Sequence, residues 1–139
     1  MKTTWIIIGA AGDLAQRKII PAFAAGAAGN DYRLIAVDRY SPEARSTDAI
    51  EWIIGDATTP DVYHTLARMV APADRVFIYC ATTPSIYCAI FCHARDAGLI
   101  NKRLAKRSII FEKPYGVDYA SAEKLMHSVA ESLDPQQVL

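Results

Sequence analysis

The chain has 139 residues, 52% hydrophobic and 22% charged, and its 15 Lys and Arg balance 15 Asp and Glu to a formal net charge of +0 at pH 7. A chain of this length is expected to form one domain, residues 1–139, burying about 68% of its unfolded surface. That suffices for an unaided core and is too little for a cofactor domain plus a separate substrate domain. Zero net charge offers no positive field to nucleic acid or an anionic membrane, and seven Pro with seven Gly is not a disordered composition.

The first apolar stretch, Trp5-Ile6-Ile7-Ile8, is too short for a signal peptide before Gly9 and Asp13 arrive, and no run of about 18 apolar residues occurs further on. It predicts a strand over residues 4–8, followed by a helix over 14–25 that Pro21 should kink or split by removing one amide donor. A second strand is expected over 33–37 and a third over 51–54. Only thirteen residues, 38–50, join them, and these include Ser41-Pro42. A parallel crossover usually takes a dozen residues or more in helical form. This one is therefore expected to cross as a loop with at most one helical turn, leaving a sheet face near that edge thinly covered.

Helix 61–69, strand 75–80, helix 85–97, strand 108–111 and helix 119–133 complete the alternation, with Asp61 and Ser85 as expected N-caps and Gly98 as a stop. The basic run from Asn101 to Arg107 reads as a solvated surface turn. The odd count of three cysteines fits a reducing cytoplasm better than a disulfide framework. Cys88 and Cys92 share a helix face, but no further ligand pair is spaced to complete a metal site with them and His93, so all three thiols are read as buried. Continuously apolar strands separated by helices predict an α/β fold with a doubly wound parallel sheet.

The chemistry concentrates at Gly9-Ala10-Ala11-Gly12-Asp13-Leu14-Ala15, which directly follows the first strand and opens the first helix. Gly9 provides the tight turn, Gly12 a close backbone approach, and Ala15 close packing of helix on strand. The amides of Gly9, Ala11, Gly12, Asp13 and Leu14 are then placed to meet a pyrophosphate at the positive end of the helix dipole. Asp38-Arg39 closes the second strand, 26 residues after Gly12, where an Asp bonds the adenosine ribose hydroxyls. Arg39 can stack on adenine or pair with a 2′-phosphate. NAD or NADP is the expected cofactor, with Asp38 inclining the balance towards NAD, in a Rossmann-type sheet of order 3-2-1-4-5.

The run from Gly9 to Phe23 resembles the coenzyme fingerprint of glucose-6-phosphate dehydrogenases, G-A-S-G-D-L-A-x-[RK]-K-[LI]-x-P-A-[LI]. Gly55-Asp56 with Tyr63 and Leu66 is similar to that family's G-D-x-x-D-x-x-S-Y-x-x-L stretch, and Ala81-Thr82-Thr83-Pro84-Ser85-Ile86-Tyr87 to its A-x-P-P-S-x-[YF] turn. The block from Ile109 to Asp118, with Ser121, Ala122 and Leu125, resembles its I-[IV]-x-E-K-P-[FY]-G-x-D segment and the following helix. The resemblance implies an NAD(P)-binding domain of an enzyme that oxidises glucose 6-phosphate. Ala81, Thr82, Thr83 and Pro84 would then flank the nicotinamide ribose, with Glu112 and Pro114 on the nicotinamide side. Lys113 matches the family's sugar phosphate contact, and the Lys113–Pro114 bond is a candidate for the cis form.

In the family an R-I-D-H-Y-L-G-K-E segment and a large α+β domain carrying the catalytic His-Asp pair follow the equivalent of Leu139. Hydride transfer from a sugar hydroxyl needs a positioned base. His64, His93 and His127 all fall within expected helices, so binding without turnover by these residues alone is expected. Two alternatives stand beside this reading. A noncatalytic NAD(P)-sensing subunit would self-associate, or pair with another chain, through apolar surface that the family normally covers. A short-chain-reductase-like enzyme would use a Tyr four residues before a Lys, and no Tyr here has that spacing.

Overall fold

In the computed structural model, residues 2–26, 31–42 and 49–139 are described. Five strands, β1 (Thr3–Ile8), β2 (Tyr32–Asp38), β3 (Ile50–Ile54), β4 (Arg75–Cys80) and β5 (Arg107–Phe111), form one sheet in the order β3-β2-β1-β4-β5. Every pairing is parallel: Ile8, for example, lies between Val37 of β2 and Cys80 of β4. The expected order is observed, and each strand agrees with its expected span to within a residue at either end.

Between β1 and β2 the chain makes a π-helical turn, Ala15–Ile19, and then α1, Ile20–Gly26. The Ile20 amide reaches back to the Ala15 carbonyl, one residue beyond α-helical spacing, immediately before Pro21, which has no amide to give. The expected split at Pro21 takes this form. Helices α2 (Pro60–Met69) and α3 (Tyr87–Asp96) begin differently from expectation. Pro60 and Pro84 occupy the first positions of α2 and of a 3₁₀ turn, Pro84–Ile86, that leads into α3. The residues before them, Thr59 and Thr83, are the caps, so Asp61 and Ser85 lie inside the turns. A proline's fixed φ suits the first helical position, which moves each boundary one step upstream of the polar residue. Gly98 stops α3 as expected. At φ +73° its amide bonds the Arg95 carbonyl while the Leu99 amide bonds that of Ala94, a Schellman ending.

The two faces of the sheet are covered unequally. Ile6, Ile8, Ile35, Val37, Ile78 and Ile109 pack beneath α2, α3 and α4 (Tyr119–Ser132), whose Leu66, Phe91 and Leu125 enter the same core. The other face buries Ile7, Leu34 and Ala36 against Ala15 and Ile20, with Trp5, Phe23 and Trp52 only partly covered. β3 has no fully buried residue and Ile54 is 55% exposed, so the edge is as thinly covered as the short connection implied. Residues 43–48 of that connection lie outside the described residues.

The basic run differs from expectation at its end. Arg107 is 3% exposed, donating to the Leu99 carbonyl (2.8 Å) and the Ala71 carbonyl (3.0 Å), while Gln137 Nε2 donates to the carbonyls of Asn101, Leu104 and Arg107. This turn is therefore held by the tail, and Val138 bridges in parallel to Ile109 at the β5 edge. Of the thiols, Cys80 is buried whereas Cys88 and Cys92 are half-buried, because their face of α3 lies at the margin of the core. No helix among the described residues is long and apolar enough to cross a membrane.

Candidate functional site

The carboxyl ends of all five strands open into one cleft of about 860 Å³. At the β1 end, Gly9 adopts φ +84°, and its amide and that of Ala10 both bond the Val37 carbonyl. A β-carbon on Gly9 would stand 2.6 Å from the Ala81 carbonyl oxygen and 2.8 Å from Thr82 Cγ2, so glycine is demanded here by conformation and by space. The Gly12 carbonyl accepts the Gln16 amide at 3.0 Å, the first bond of the helix. That leaves the first-turn amides of Asp13, Leu14 and Ala15 without an intrahelical acceptor, aimed at the cleft's end of the helix. Ala15 is fully buried against the sheet, as the fingerprint requires.

Asp38, at the end of β2, is fixed by two backbone amides: Oδ2 accepts from Ala11 at 2.9 Å and Oδ1 from Arg39 at 2.7 Å. Gly9, Gly12, Leu14, Asp38 and Arg39 all line the cleft. Ala11 and Asp13 do not. Ala11 acts through the Asp38 carboxylate, and the Asp13 side chain turns outward to Arg17 at 3.3 Å, so only its backbone amide is available.

Beyond β4, Ala81, Thr82, Thr83 and Pro84 line the opposite wall, with the Thr83 and Ser85 hydroxyls 2.8 Å apart. Beyond β5 come Glu112, Lys113 and Pro114, and the Lys113–Pro114 peptide is cis. The Glu112 carboxylate accepts from the Tyr79 hydroxyl, and its backbone carbonyl from the Tyr87 hydroxyl at 3.2 Å. Burial, followed by the Glu112 carboxylate, holds the Tyr79 phenol well above its usual range, so Tyr79 stays a donor.

Sequence reasoning overlooked the β3 end of the cleft. Gly55, Asp56, Ala57 and Thr58 line it, and Val37, Ile86 and Tyr87 also line the cleft. Asp56 Oδ1 accepts from the Thr58 hydroxyl (2.7 Å) and amide (2.9 Å), which hold its carboxyl below the ordinary range. The signal was present: Gly55-Asp56 stands at a strand's carboxyl end, where open α/β sheets gather their ligands. The three histidines lie in helices as expected and none lines the cleft; His93 Nε2 contacts the Thr58 carbonyl at 2.9 Å and His127 pairs with Glu131. Among the described residues no three His, Cys, Asp or Glu side chains gather as metal ligands would.

A parallel sheet of this order, with a glycine turn into a helix and a carboxylate closing its second strand, defines a dinucleotide-binding α/β protein. Residues 38–139 match the family described as glucose-6-phosphate dehydrogenase, NAD binding domain. The chain belongs to this family, and NAD or NADP is its cofactor. It is 27% identical to a glucose-6-phosphate 1-dehydrogenase of Zymomonas mobilis over 98% of its own length and 34% of the relative's. A second such enzyme, from Dickeya dadantii, is 30% identical over 96% of this chain and 33% of that protein. The chain thus spans about a third of the length of these curated relatives. The crystal structure of glucose-6-phosphate 1-dehydrogenase from Mycobacterium avium superposes with a TM-score of 0.82 at 21% identity, covering 99% of this chain and 35% of that one.

Proposed function

We propose that these 139 residues are the coenzyme-holding domain of an oxidoreductase that passes hydride between NAD(P) and a sugar phosphate, and that they bind coenzyme without turning over substrate alone. The observation that carries the reading is the convergence of five strand ends on one cleft in which a glycine turn faces a fixed carboxylate. The pyrophosphate would sit on the first-turn amides of Asp13 and Leu14 beside Gly9 and Gly12, with the adenosine ribose at Asp38 and Arg39. Ala81, Thr82, Thr83 and Pro84 would bound the nicotinamide ribose, with Glu112 and Pro114 beside the nicotinamide. Lys113, exposed at the mouth of the cleft, supplies a cation for the sugar phosphate. The sugar phosphate itself is inferred from the relatives' names, glucose-6-phosphate 1-dehydrogenase.

Turnover needs a base to take the hydroxyl proton, and no histidine lines the cleft among the described residues. Calorimetric titration with NAD⁺ and NADP⁺, followed by a coenzyme-reduction assay with glucose 6-phosphate, tests the proposal. Saturable binding without reduction is expected. Binding of neither coenzyme overturns the coenzyme role, and steady reduction overturns the need for residues beyond these. Three free cysteines favour a cytoplasmic setting.

A second reading rests on the sheet face shared with α1, where Phe77, Tyr79 and Ile110 are only half-buried. Such a strip favours association with further polypeptide or another copy. Sedimentation of the purified chain separates the two: a strictly monomeric, highly soluble chain counts against association.

A further inference from the structure

We infer that the adenosine end of the cleft is built for a ribose with free hydroxyls, so that this chain takes NAD in preference to NADP, and that Asp38 decides the choice. The inference rests on the coenzyme role proposed above. Asp38 is not a loose surface acid: its two oxygens are clamped by the Ala11 amide at 2.9 Å and the Arg39 amide at 2.7 Å, one from the glycine turn and one from its own strand end. To swing away from an incoming ligand the side chain must give up both amide bonds. Each clamped oxygen keeps a second lone pair, which a ribose hydroxyl can fill by donating. A 2′-phosphate has no proton to donate when fully ionised, and it brings a charge of about −1.5 to −2 against the carboxylate.

The surroundings reinforce the exclusion. Asp56 lines the same end of the cleft from the β3 side, its Oδ1 held by the Thr58 amide and hydroxyl. Among the described residues, the adenosine end therefore presents two carboxylates and one guanidinium, that of Arg39, while the cleft's other cation, Lys113, stands at the β5 end. The electrostatics of Arg39 are shared with Asp56, whose carboxyl it helps keep ionised. The one guanidinium is thus outnumbered by the two carboxylates, and its flat, exposed face can stack on the adenine ring.

The test is a calorimetric titration of the full chain with NAD⁺ and NADP⁺, for the wild type, Asp38→Asn and Arg39→Ala, with thermal melting of each variant as a folding control. Asp38→Asn keeps a side-chain oxygen for the Ala11 amide while removing the charge. The wild type is expected to bind NAD⁺ at least about tenfold more tightly than NADP⁺, the scale set by like charges brought together in a binding site. Asp38→Asn is expected to melt near the wild type and to narrow that ratio to about threefold or less by gaining NADP⁺ affinity. Arg39→Ala is expected to weaken both coenzymes alike. NADP⁺ binding as tight as NAD⁺ in the wild type, or an unchanged ratio in a folded Asp38→Asn, overturns the inference while leaving the coenzyme role intact. Binding of neither coenzyme overturns both.

Discussion

Replacing Gly9 by alanine should unfold the turn on which the whole site depends, and the structure sets the size of the effect. At φ +84° an L-residue carries a backbone penalty of about 1–2 kcal/mol. The new β-carbon would also stand 2.6 Å from the Ala81 carbonyl oxygen, which cannot give way cheaply because the Ala81 amide is tied to the Ile8 carbonyl at 2.8 Å. Overpacking of this kind costs about 1–3 kcal/mol, for a total near 2–5 kcal/mol. For a domain of this size the melting temperature should fall by about 7–17 °C. Gly12→Ala is the matched control. Its β-carbon would meet only the Gly9 carbonyl oxygen, at 3.2 Å, and Gly12 lines the cleft, so coenzyme affinity should fall with little change in melting temperature. Melting followed by circular dichroism and calorimetric titration read the two effects separately. A Gly9→Ala protein melting within about 2 °C of wild type, or a Gly12→Ala protein as unstable as Gly9→Ala, would refute the assignment of turn and approach to these two glycines.

Three further outcomes are expected. Gly116→Ala places a β-carbon against Ser121 Oγ and 2.5 Å from the Ala122 amide, breaking the Asp118–Ser121 capping box of α4. It should cost about 2–4 kcal/mol by urea denaturation, whereas a cost below about 1 kcal/mol would contradict the close approach. Arg107→Met removes the bonds to the Leu99 and Ala71 carbonyls and should also cost about 2–4 kcal/mol, little of it recovered at high salt because the partners are carbonyls and not an exposed carboxylate. Acid should destabilise the fold. The Arg33 guanidinium holds Glu51 below its usual value, Thr58 does so for Asp56, the Lys2 and Ala71 amides for Asp74, and the Ser121 amide and hydroxyl for Asp118. With folded values depressed, the stabilisation is complete above the unfolded values of about 3.9–4.3 and is lost as pH falls through the folded ones. Unfolding free energy measured in urea should therefore be level from about pH 7 to 5 and drop below about pH 4; a rise on acidification would contradict these partners.

The strands were legible because each is a short, continuously apolar run between polar turns, and β4 is bounded as expected at Arg75 and Cys80. The helix starts were misplaced where Thr-Pro precedes the polar residue, since local propensity favours Asp61 and Ser85 while proline's fixed φ makes Thr59 and Thr83 the caps. Nothing local could reveal the burial of Arg107: the carbonyls that bind it come from Leu99 and Ala71, and the turn around it is closed by Gln137. Nor could sequence spacing show that α4 joins α2 and α3 in one core and leaves the opposite face to α1. At the site, the glycine turn and Asp38 were readable because each stands at a strand end with a chemical reason for its identity. The clamp between Asp38 and the Ala11 amide joins positions 27 residues apart, and it emerges only when β1 and β2 lie side by side.

The most direct measurement is an NMR titration of the amide-labelled chain with NAD⁺. Saturable shifts are predicted for the amides of Gly9, Gly12, Asp13, Asp38, Gly55 and Thr82, at the carboxyl ends of four strands, with the amino-terminal edge near Asp74 and Arg103 unmoved. Shifts confined to that opposite edge, or none at millimolar NAD⁺, would contradict the cleft as the coenzyme site.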